Sequence, residues 1–171
     1  MPTLFIFAGL PGTGKTSLSQ RLAQQIHAMH LRIDTIEQGL RDLCGVHVEG
    51  EGYRLAYRVA ADNLQLGLNV VADSCNPLEL TRREWEQVAT KCSASFVNIE
   101  VICSIQLEHQ RRVESRNSDI AKLQLPTWRD VQNREYHEWS VDRIVIDTAN
   151  RTPDESLETL MELLVDSQET P

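Results

Sequence analysis

No CxxC pair occurs among the four cysteines, Cys44, Cys75, Cys92 and Cys103; widely spaced, they read as reduced thiols of a cytoplasmic protein. No hydrophobic run reaches the length of a membrane span. The N-terminal apolar stretch from Leu4 to Leu10 is too short to cross a bilayer, and no basic residue precedes it, so it does not read as a signal peptide. Basic runs are missing too: 17 Lys and Arg stand against 25 Asp and Glu, a net charge of −8. A protein that tracks a phosphate backbone is therefore disfavoured, although a local basic pocket can sit on an acidic protein. The five histidines show no metal-ligand spacing, and His27 and His30, three apart near a helix end, read as a capping or surface pair. There is no repeat, linker or low-complexity segment. What remains is ordinary for one globular domain spanning 1–171, monomeric or homodimeric, with 41% hydrophobic residues to supply a core.

Apolar runs alternate with helical patterns. Thr3 to Ala8 is a buried-strand signal, and Thr16 to Met29 carries Leu18, Leu22, Ala23 and Ile26 at helical spacing. A second strand is expected at Leu31 to Ile33, ending at Asp34, with a helix from about Thr35 to Leu43. Helices are expected from Tyr53 to Leu66 and Thr81 to Lys91, and strands from Leu68 to Ala72, running into Asp73, and from Phe96 to Ile102. Glu108 to Arg116 reads as a polar helix rich in arginine. Thr127, with Asp130 at the reciprocal position of a capping box, opens a helix expected to reach about Trp139. A fifth strand, Arg143 to Ile146, reaches Asp147, and Pro153 opens the last helix. This alternation argues for an α/β three-layer sandwich around a five-stranded, mainly parallel sheet. Gly9, Asp34, Asp73 and Asp147 would then follow strand ends and converge on the edge where such sheets bind ligands.

One motif is specific. Gly9-Leu10-Pro11-Gly12-Thr13-Gly14-Lys15-Thr16 fits G-x-x-x-x-G-K-[ST] without deviation, between an expected strand and an expected helix. Backbone N–H groups of Gly9, Pro11–Ser17 and the helix dipole would cradle phosphates, proline lending only its ring and carbonyl. Lys15 would reach the β- and γ-phosphates, and the Thr16 hydroxyl would ligate Mg²⁺, so ATP and Mg²⁺ are the implied cofactors. No Asn-Lys-x-Asp base-reading tetrapeptide occurs, which argues against a GTPase switch. The third strand runs into Asp73-Ser74 rather than Asp-Glu, and the chain is short for a remodelling ATPase. A small phosphotransferase remains.

Together GLPGTGKT, RIDTIEQGLRD, VVADSCNP, EHQRRVESR and VIDTANRTPDES give the chain a resemblance to the compact P-loop kinases of the AAA_33 type, which include chloramphenicol phosphotransferase, the zeta toxins, polynucleotide 5′-kinase and gluconate kinase. The resemblance covers nearly the whole chain. It implies a nucleoside-kinase-like P-loop fold with a helical lid, here about 108–126, and an aspartate after the second strand that accepts the acceptor's proton. That aspartate would be Asp34; its alternative reading is a helix N-cap. Asp73 is expected to hold the Mg²⁺ shell through water, or else to be a strand-end turn residue. Arg112 and Arg116 share a helix face and would brace the transferring charge, whereas a Glu108–Arg112 salt bridge would be the plainer account. Arg111 is a third lid candidate. Arg54 and Arg58 would border the acceptor pocket or lie on a solvated face. The loop Asp147–Arg151 would pack on adenine through its backbone. The implied activity is transfer of the ATP γ-phosphate to a small-molecule hydroxyl, with Lys15, Asp34, Arg112 and Arg116 catalytic. A regulatory nucleotide-binding ATPase and a toxin-like nucleotide-sugar kinase are the rivals. A polynucleotide 5′-kinase is disfavoured by the charge and because the nearest arginine after Asp34 is Arg41.

Overall fold

The computed structural model describes residues 1–169, with side chains through Asp166. Five parallel strands, β1 (Thr3–Ala8), β2 (Met29–Arg32), β3 (Val70–Asp73), β4 (Ser95–Ile102) and β5 (Ile144–Asp147), form one sheet in the order β2-β3-β1-β4-β5. Seven helices connect and cover it: α1 (Lys15–Gln25), α2 (Ile33–Cys44), α3 (Glu51–Gln65), α4 (Glu79–Lys91), α5 (Gln106–Ser115), α6 (Trp128–Gln132) and α7 (Pro153–Glu169). β1 lies at the centre, pairing with β3 on one side and β4 on the other.

The sheet is buried on both faces, which explains why β1 is apolar from Leu4 to Ala8 instead of alternating. Leu4 and Ile6 point to one layer, with Ile33, Ala56, Ala60 and a fully buried Trp85 from α2, α3 and α4. Phe5 and Phe7 point to the other, with Leu18 and Leu22 of α1 and Leu160 and Leu164 of α7. The α/β three-layer sandwich read from the sequence is thus the observed fold. Among the described residues, no helix is long and apolar enough to cross a membrane.

Three boundaries differ from expectation, each for a tertiary reason. The first helix ends at Gln25, and Met29 belongs to β2, because His27 turns the chain with φ 51° and Ala28 bonds back to Ala23. β2 stops at Arg32, so Ile33 opens α2 and buries its side chain as a helix residue in the core. Asp34 is therefore neither a strand-end residue nor an N-cap: Arg32 takes the cap position, and Asp34 stands in the first turn of α2. A carboxylate there is favoured by the positive end of the helix.

The third difference is the helix expected to run to Trp139, which stops at Gln132 although its Thr127–Asp130 capping box forms. The chain beyond it is captured by the buried Arg82 of α4. This guanidinium donates to the carbonyls of Asn76, Pro77, His137 and Glu138 and lies over the rings of Trp139, at 4.0 Å, and Tyr136. Four carbonyls and two aromatic faces around one buried cation outweigh the helical propensity of this stretch.

Candidate active site

Phosphate-loop geometry follows from its glycines. Gly9 has φ 140°, and a Cβ there would overlap the carbonyl oxygen of Val101 on β4, so only glycine allows the loop to leave β1 this close to the neighbouring strand. Gly12, at φ 85°, leaves no room for a Cβ beside Val113 of α5. Gly14 precedes α1, and Lys15 and Thr16 form its first turn. The Lys15 side chain is buried and makes no hydrogen bond or ion pair with the described residues.

Neighbouring elements fix the loop from two sides. His109 of α5, itself buried, lies 2.8 Å from the Pro11 carbonyl; since a carbonyl only accepts, His109 Nε2 carries the proton. Thr148, just past β5, donates its hydroxyl to the Thr13 carbonyl at 2.7 Å and accepts from Arg112 at 2.8 Å. Neither residue stood out in the sequence, because each acts across about a hundred positions of chain. Thr148→Val keeps the shape but leaves the Thr13 carbonyl and Arg112 short of a partner. It is expected to cost about 1–3 kcal/mol of stability, read as a lowered urea midpoint together with a raised KM for ATP. An unchanged midpoint would show that this hydroxyl does not hold the loop.

Beside the loop opens a cleft of about 1040 Å³. Lys15, Thr16, Asp34, Arg112 and Arg116 all line it, so three elements distant in sequence, α1, α2 and α5 with its C-cap, share one cavity. The two arginines of α5 have different surroundings. Arg112 is tied to the Thr148 hydroxyl and carbonyl and to Glu108 at 2.6 Å, so the salt bridge weighed from the sequence exists and is only part of its environment. Arg116 faces Asp34, Cys75, Arg32 and Arg134. Burial holds its pKa below the ordinary arginine value, opposed by the Asp34 carboxylate. Within the cleft, Arg112 meets the phosphate loop through Thr148, while Asp34 and Arg116 lie within electrostatic range of each other.

Other candidates lie elsewhere. Arg54 and Arg58 are exposed on α3 and do not line the cleft, and Arg111 is exposed on the outer side of α5. Asp147 holds its own turn, accepting from the backbone N–H groups of Ser104 and Ala149. Asp73 ends β3 with 3% exposure and does not line the cleft surface; its Oδ2 is buried without a hydrogen-bond partner and lies 3.7 Å from His30 Nε2. His30 is half-buried on β2 and not the surface residue its spacing suggested: its ring meets Ser19 of α1 at 3.0 Å, and burial lowers its pKa against the pull of Asp73. Ser19, His30 and Asp73 are not a nucleophilic triad, since both contacts fall on the same ring nitrogen and Ser19 is wholly buried.

The comparisons with known proteins agree with this geometry. A model of the AAA_33 family, described as an AAA domain, matches residues 4–137. The chain is 28% identical to an adenylyl-sulfate kinase of Oceanobacillus iheyensis, over 95% of this chain and 83% of the relative. Among solved structures, a protein of Chloroflexus aurantiacus superposes with a TM-score of 0.71 at 21% identity, covering 96% of this chain and 97% of that one. The APS kinase CysC of Mycobacterium tuberculosis, solved with AMPPNP and APS, superposes with a TM-score of 0.66 at 16% identity, covering 95% and 97%. The chain belongs to the AAA_33 family and is a phosphotransferase of the small P-loop kinase class.

Proposed function

We propose that the protein transfers the γ-phosphate of MgATP to a hydroxyl of a small molecule bound beside Asp34 in the cleft. The observation that carries this reading is the shared cavity: the Lys15 loop and an exposed carboxylate, Asp34, open onto one space large enough for nucleotide and acceptor together. Gly9, Pro11–Ser17 would surround the β- and γ-phosphates. The Lys15 ammonium, which lines the cleft and lacks a protein partner, would meet the charge that builds on the transferring group. Asp34 orients the acceptor hydroxyl and takes its proton, and Arg112 braces the phosphoryl charge from the α5 side. The segment about 108–126 would act as the lid; Asp119 within it pairs with Arg32 through two hydrogen bonds of 2.7 and 2.9 Å, tying the segment to the end of β2.

Thr16, which lines the cleft in the first turn of α1, is suited to Mg²⁺; Asp73 is buried off the cleft surface, its Oδ2 without a hydrogen-bond partner and 3.7 Å from His30 Nε2, so it would act only through water. When bound, Mg²⁺ would neutralise charge shared by the β- and γ-phosphates, with Thr16 holding it directly and Asp73 through water.

Incubation with MgATP and pooled hydroxyl-bearing small molecules should yield, by mass spectrometry, a compound heavier by one phosphoryl group. ATP hydrolysis with every acceptor left unmodified would favour a regulatory ATPase instead.

A further inference from the structure

Resting on the kinase reading, we propose that the acceptor carries an oxyanion of its own (a phosphate, sulfate or carboxylate) and that Arg116 and Arg134 bind it. A chain of net charge −8 concentrates positive charge in this one cleft. Away from the phosphate loop and Arg112, five cationic side chains line it: Arg32, Arg41, Arg116, Lys122 and Arg134. Three of them are already paired, Arg32 with Asp119, Arg41 with Glu37 at 3.1 Å and Lys122 with Asp42 at 3.8 Å. Arg116 and Arg134 have no side-chain hydrogen bond or ion pair among the described residues; both line the cleft within electrostatic range of each other, Arg116 also of Asp34 and Arg134 of Asp130.

Like charges left side by side are costly unless a counter-ion joins them, and the cost grows where water is thin. The Nε of Arg116 is buried with no partner at all. Asp34 is the carboxylate facing Arg116, but it is exposed and belongs to the acceptor's hydroxyl in the mechanism above. The phosphates of ATP are an inferior match for this pair, since they already have Lys15, the loop amides and the tethered Arg112. Two guanidinium forks suit an oxyanion, which each can grip through paired N–H donors. Their mounting is firm: Arg116 follows the last turn of α5, and Arg134 follows α6 just before the segment pinned by Arg82, where His137 also donates its N–H to the Pro77 carbonyl. An anion held there would set its acceptor's hydroxyl beside Asp34, and neutral hydroxyl compounds would lack that anchor.

The test uses the full chain saturated with Mg²⁺ and AMPPNP, so that the nucleotide phosphates are accounted for, and titrates sulfate and, separately, acetate by calorimetry. Sulfate or acetate should bind at one further site, and whichever binds more tightly separates a phosphate or sulfate group from a carboxylate. Arg116→Ala and Arg134→Ala should each weaken that binding about tenfold or more, with AMPPNP affinity unchanged. Arg134 is exposed, so loss of binding in its variant is not a folding failure. Absence of anion binding by the saturated wild type, or wild-type binding by both variants, would overturn the proposal. So would a fall in AMPPNP affinity, which would assign the arginines to the nucleotide. Failure of the kinase reading shows differently, as ATP hydrolysis that leaves every acceptor unmodified.

Discussion

Lys15→Ala is expected to lower phosphoryl transfer from MgATP by at least about a thousandfold while leaving the fold intact. The separation of the two effects follows from the position of the ammonium. The Lys15 side chain lies along the start of α1 and opens to the cleft, yet makes no hydrogen bond or ion pair with the described residues, so its removal strands no protein group. Its task lies with the phosphates, and the thermal midpoint should therefore stay close to that of the wild type. Turnover within tenfold of wild type would remove Lys15 from the mechanism; collapse of the fold would show that the side chain has a structural partner.

Asp34→Asn is expected to reduce transfer by about a hundred- to ten-thousandfold with nucleotide affinity preserved. The carboxylate lines the cleft that the phosphate loop also lines, in the first turn of α2, where the amide would be nearly isosteric but would no longer accept a proton. Binding of AMPPNP measured by calorimetry and transfer measured with saturating acceptor keep the two contributions apart. If the variant transfers at the wild-type rate, the proton has another destination. If it loses nucleotide affinity instead, Asp34 belongs to nucleotide binding.

The parts of this arrangement that were legible in the sequence are those encoded locally. Thr3–Ala8 reads as a doubly buried strand because Leu4 to Ala8 are all apolar, and the phosphate loop reads directly from its glycine spacing. The Thr127–Asp130 capping box formed as its side chains indicated. The position of Asp34 was misread by one local ambiguity: Ile33 suits a strand and a buried helix start equally, and only the core formed with Ala56 and Ala60 decides between them. The length of α6 was misread for a similar reason, since its continuation is helical in pattern but is claimed by Arg82. His109, Thr148, His30 and Arg134 acquire their roles only when the sheet order brings distant segments together, and no spacing rule anticipates such contacts. The Glu108–Arg112 pair was legible from its spacing, but the tether of Arg112 to Thr148 was beyond reach, because it forms across 36 positions of chain.

That the shared cleft serves transfer and not hydrolysis is tested most directly by following the γ-phosphate itself. ATP labelled at that position, supplied with a small-molecule extract, should leave its label mainly in an organic phosphoester. That ester should be lost with Lys15→Ala and with Asp34→Asn, although the Asp34 variant still binds nucleotide. Label recovered only as inorganic phosphate, at equal rates with and without the extract and unaffected by Asp34→Asn, would contradict the account.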